Sequence, residues 1–78
     1  MEDIYKQSLE ADKEGLWDKA HDLIQDLPTA EAAWIHAYLH KKEGDVSNAR
    51  YWYARAGKPE YNGSLDSEWQ ELWNALTK

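Results

Sequence analysis

An all-α fold is predicted for this chain by three features of its sequence. Apolar residues recur at helical rather than alternating intervals, glycine and proline sit at a few punctuation points, and one short stretch returns 29 positions later. The architecture expected from them is two antiparallel helical hairpins, at about residues 2–27 and 29–56. A C-terminal helix at about 64–77 closes them into one domain spanning 1–78.

Residues 2–14 are rich in the strong helix formers Glu, Lys, Leu, Ala and Gln, and Ile4, Tyr5, Leu9 and Ala11 keep helical spacing. Gly15 ends this segment. From 16 to 27, Leu16, Trp17, Ala20, Leu23, Ile24 and Leu27 make a one-sided apolar stripe, with Asp18, His21, Asp22 and Gln25 on the other side. Thr29 is the expected N-cap of a third helix running to about Lys42, where Lys41 and Lys42 complement the C-terminal dipole. Gly44 stops it. Asp45 caps a fourth helix whose stripe is Val46, Ala49, Trp52, Tyr53 and Ala56, and Gly57 with Pro59 ends that one. After the Asn62-Gly63 turn, Ser64 or Asp66 opens the fifth. No segment reads as a strand.

The recurrence organises these helices. Lys13, Glu14, Gly15 and Ala20 return as Lys42, Glu43, Gly44 and Ala49. Helix-turn-helix units that recur in this way form stacked α-repeats, because one unit cannot bury its apolar face alone. The segment "GDVSNARYWYARAGKP" resembles the second half of a tetratricopeptide or Sel1-type repeat. Its Gly marks the turn, Ala49 allows close helix approach, Tyr53 fills the hairpin, and Ala56 with Pro59 closes the unit. Gly15, Ala20, Ile24 and Pro28 match more loosely. Ala33, His36 and His40 depart from the family pattern, whereas Ala37 fits it. The stretch "HAYLHKKEGDVSNARYWYARAG" also resembles a set of small microbial proteins, a likeness that brings no activity with it. The tetratricopeptide resemblance implies a right-handed repeat stack that serves as a scaffold for protein or peptide binding.

Composition narrows the partners. Five Trp and five Tyr with no Phe require a core of rings with polar tips, and the lack of Cys excludes disulfides and thiolate metal sites. Fifteen acidic against nine basic side chains give a formal charge of −6, which disfavours nucleic acid and anionic membrane and suits a basic or apolar protein segment. The N-terminal stretch is acidic and polar and no run reaches the length of a membrane span, so a cytoplasmic protein is expected.

Two constellations carry functional expectations. Tyr5 and Leu9, Trp34 and Tyr38, and Trp69 and Trp73 are i, i+4 pairs on the first, third and fifth helices, which line the inner face of a repeat array. Lys13, Lys41 and Lys42 flank that face at one end, with Glu2, Asp12 and Glu31 elsewhere. It is the expected site for a protein or peptide segment, with Tyr5, Trp34, Tyr38, Lys41, Trp69 and Trp73 as its binding residues. If the three helices close on one another, the same rings are core instead. A second copy of the chain, held through Trp69 and Trp73, is the alternative partner.

His36 and His40 form the other constellation. They stand at i, i+4 with Glu43 three residues on, the spacing at which one helix chelates a transition metal. The acidic residue that directly follows the first His of a metalloprotease helix is missing. The favoured reading is nevertheless two partly buried rings hydrogen-bonded to carbonyls or neighbouring carboxylates, with no metal, and the metal site is its alternative. His21, beside Asp18, Asp22 and Gln25, is expected to be a solvated surface residue. Tyr51 and Arg55 share an outer face for a ring-guanidinium contact. No nucleophile with an adjacent base can be assembled and no cofactor is expected. A non-enzymatic binding module is therefore the first expectation, and a metal-binding or catalytic protein centred on His36 and His40 is the second.

Overall fold

The computed structural model describes residues 3–77. The described residues form five helices, α1 (Ile4–Lys13), α2 (Trp17–Ile24), α3 (Ala30–Lys42), α4 (Val46–Ala56) and α5 (Leu65–Leu76), with no strand among them. The expected helical start at residue 2, and the acidic Glu2, lie outside the described residues. No described helix is long and apolar enough to cross a membrane.

Four of the helices open on a side-chain cap. Asp3 accepts from the backbone N–H of Tyr5 and Lys6, Thr29 from Ala32, Asp45 from Asn48 and Ser64 from Ser67. The second helix differs. Leu16 has no capping group and is 46% exposed, so it lies outside the buried stripe predicted for it. This helix also stops at Ile24 rather than 27, because Pro28 disfavours helical geometry at Leu27, whose N–H turns back to the Ile24 carbonyl at 3.2 Å.

The recurrent stretch corresponds to a recurrent turn. Gly15 and Gly44 both adopt left-handed φ, 83° and 90°, where a β-carbon is strained. After α1, Gly15 donates to the Asp12 carbonyl and Leu16 to that of Ala11. After α3, Gly44 donates to Lys41 and Asp45 to His40 in the same pattern. Each turn folds its helix pair into a hairpin, α1 on α2 and α3 on α4. The matched alanines, Ala20 and Ala49, are both buried in the interior that results.

The third helix is the centre of the molecule. It touches all four others, and every residue from Ala32 to His40 is buried. The fifth helix lies against α1 and α3 and closes the face between them. Leu72 is fully buried there, and the Trp69 indole N–H donates to the Leu9 carbonyl at 2.9 Å. Two buried carboxylates tie the layers together. Asp12 accepts from the Tyr38 hydroxyl and the Lys42 ammonium, each at 2.9 Å. Glu68 accepts from the Tyr53 hydroxyl and faces the Lys41 ammonium at 3.3 Å.

Candidate metal centre

Three imidazoles meet where α2 crosses α3. Trp17, in the first turn of α2, donates its indole N–H to the Leu39 carbonyl at 2.8 Å and so pins α2 to α3. One turn further on, His21 stacks on the Trp17 ring, with centroids 4.9 Å apart and planes 12° from parallel. That contact holds His21 over α3, where His36 and His40 stack on each other at 4.8 Å. The Nε2 atoms of His21 and His36 lie 2.9 Å apart, so one ring donates its N–H to the lone pair of the other. One ring nitrogen from each of His21, His36 and His40 falls within 4.8 Å of the other two.

Neighbouring groups fix the orientation of these rings. Trp52 of α4 covers the face of His36 at a centroid distance of 3.9 Å and 15°. Glu43, the residue that ends α3, lies three positions after His40 and so one turn along the same side, with Oε1 2.6 Å from His40 Nδ1. In the neutral ring a proton on Nδ1 would face this carboxylate and Nε2 would carry the lone pair, the arrangement an outer carboxylate sets behind a metal-bound histidine. The amide Nδ2 of Asn48 is 3.5 Å from His40 Nε2. His36 and His40 are buried, at 5% and 8% exposure, and His21 is half-buried.

Burial, then the His21 and His40 rings, pushes the His36 pKa down to about 4. Burial, then His40, lowers that of His21 as well, against the upward pull of Asp22, Glu43 and Asp18. Both rings are consequently neutral at neutral pH, the state in which an imidazole offers a lone pair to a metal.

These positions revise several expectations. His21 is not a solvated surface residue: it stands on the polar side of its own helix, but that side meets α3. His36 and His40 do come together, whereas Glu43 groups with His40 and Asp45 instead of joining the three rings. Tyr38 is 2% exposed with its hydroxyl on Asp12, so it belongs to the core and not to an open face. The Lys41 ammonium is committed to Glu68 and to the Tyr61 carbonyl. Trp34 is buried under Lys58, whose ammonium is 4.4 Å from the ring centroid, and the half-buried Tyr5 shares a hydrogen bond with Thr29. Only Trp69 and Trp73 among the six expected binding residues stack as a pair at the surface, at 5.1 Å and half-buried, with Lys13 and Lys6 over them. The Tyr51 and Arg55 contact is present, with the guanidinium donating to the hydroxyl at 3.2 Å.

Sequence reasoning missed His21, Trp52 and Asn48 as partners of the histidine pair. A signal for His21 existed in its i, i+4 spacing from Trp17. Comparisons with family models, with curated proteins and with solved structures give no match, so function rests on the arrangement of these side chains.

Proposed function

We propose that this chain is a metal-binding protein that holds one divalent transition-metal ion of the zinc class through His21, His36 and His40. The observation that carries the reading is the convergence of three imidazoles from two helices, with a carboxylate behind one of them. Tetrahedral zinc with bonds of about 2.0–2.1 Å sets its ligand nitrogens about 3.3 Å apart. The 2.9 Å pair would open by a few tenths of an ångström, and the third nitrogen, within 4.8 Å of both, would settle to the same spacing. An all-imidazole donor set suits Zn²⁺, Ni²⁺, Co²⁺ and Cu²⁺ and disfavours Mg²⁺ and Ca²⁺. The tetratricopeptide-like kinship and a cytoplasmic location belong to the same proposal. The kinship is supported by the left-handed glycines and buried alanines at matched positions of the two hairpins.

Titrating chelator-stripped protein with Zn²⁺ tests the reading. Binding is expected to saturate at one equivalent and to raise the melting temperature, by about 2.7 kcal/mol of stability at a hundredfold excess over Kd. His21→Ala and His36→Ala each abolish the effect. An unchanged melting temperature and a flat isotherm would overturn the assignment.

A second reading, a protein-binding module, is supported by the Trp69 and Trp73 pair. These rings border an open crevice of about 380 Å³ together with Glu10, Lys13 and Gln70. Acrylamide is expected to quench part of the tryptophan fluorescence, and Trp73→Ala to remove that part with little loss of stability. Uniform protection of all five tryptophans would sink this reading. A self-associating chain would show the protection growing with protein concentration.

A further inference from the structure

The surroundings of the three rings specify more than a cation. Trp17 closes one side, stacked on His21 and edge-on to His40 at 5.9 Å, and Trp52 closes another by covering His36. Among the described residues, no carboxylate joins the three ring nitrogens. Glu43 and Asp45 group with His40 separately, and Glu43 bonds its Nδ1, which faces away from the nitrogen left free. The polar side chain next to that free nitrogen is Asn48, half-buried and with its amide N–H₂ group 3.5 Å away. The orientation of this amide follows from the tautomer of His40. With the ring proton on Nδ1 against Glu43, Nε2 is an acceptor and the amide turns its donor toward it. Asp45 helps hold the side chain there, accepting from Nδ2 at 3.4 Å.

We propose that the metal-loaded centre keeps its fourth coordination position for a small monoanion, with Asn48 donating a hydrogen bond to that ligand. The inference rests on the metal-binding reading above and deepens it. Three neutral imidazoles leave both positive charges of the ion uncompensated, which favours an anion over a neutral fourth ligand. The Asn48 amide beside the site selects an anion with an acceptor, such as hydroxide, azide, formate or bicarbonate. A three-histidine ion with an exchangeable position is the arrangement of catalytic rather than structural zinc sites.

The test uses the full chain loaded with Co²⁺, whose visible bands report coordination, and titrates azide as the probe. Wild type is expected to show a saturable spectral change. Asn48→Leu, which keeps the three histidines, is expected to weaken azide binding about tenfold or more, since the lost bond is to a charged acceptor. Asn48→Asp places a carboxylate at the same point and is expected to abolish the azide response by filling the position. If Asn48→Leu does not fold, Asn48→Ala makes the same comparison, with the same loss of azide affinity expected. Absence of any Co²⁺ spectrum defeats the metal-binding reading itself. A Co²⁺ spectrum indifferent to azide in wild type defeats the open position, and an unweakened response in Asn48→Leu defeats the role of Asn48.

Discussion

Replacing Glu68 with alanine is expected to remove about 3–5 kcal/mol of folding stability, a large share of what a domain this small possesses. Glu68 is fully buried on α5, yet its carboxylate is fully engaged. One oxygen accepts from the Tyr53 hydroxyl of α4, and the other faces the Lys41 ammonium of α3, which also donates to the Tyr61 carbonyl at 2.6 Å. Truncation leaves the buried Tyr53 hydroxyl without its acceptor and the three-quarters buried Lys41 ammonium without its counter-charge, and that desolvation dominates the loss. It also frees the connection through Tyr61 that leads into α5. Glu68→Gln keeps the volume and an acceptor for Tyr53 while removing the charge, so its loss is expected to be about 1–2 kcal/mol. Urea unfolding followed by circular dichroism checks both values. A loss below about 1 kcal/mol in Glu68→Ala would mean that this network does not hold α5 in place.

The positions legible in the sequence are those whose cause is local. Thr29, Asp45 and Ser64 cap their helices because a short polar side chain next to an apolar run satisfies orphan N–H groups, whatever the rest of the chain does. Gly15 and Gly44 end helices for an equally local reason. What escaped depends on how helices meet. Every residue of α3 from Ala32 to His40 is buried, so that helix has no polar face to mark its orientation, and Trp34 and Tyr38 read equally well as groove or core. Packing of α5 against α1 and α3 decided for core at Tyr38. The polar side of α2 is defined by its own residues, but the hairpins press part of that side onto α3, and His21 is the residue caught there. Glu68 escaped for the same reason, since a glutamate in an amphipathic helix reads as solvated until its partners on two other helices are known.

Acidification of the metal-free protein should expose the histidine cluster directly. His36 is held down to about 4 in the folded chain by burial and by the adjacent His21 and His40 rings, against about 6.5 when unfolded. Above both values neither state carries the proton, and the ring contributes no pH dependence. As pH falls below 6.5 the unfolded chain binds a proton that the folded chain refuses, so stability declines with pH throughout that window and levels off near 4. At 1.36 kcal/mol per unit, the full decline attributable to His36 is about 3 kcal/mol, and the lowered His21 adds to it in the same direction. The physical reason is in the 2.9 Å contact: its two ring nitrogens share one proton, and a second would set two N–H donors face to face between Trp17 and Trp52. His36→Gln removes the titrating group, keeps a polar side chain of similar reach, and is expected to flatten the curve between pH 6.5 and 4 even if its stability at pH 7 is lower. Denaturant unfolding at half-unit pH steps on both proteins measures the two slopes. Parallel curves would place His36 in contact with solvent, and its burial in the three-ring cluster would have to be abandoned.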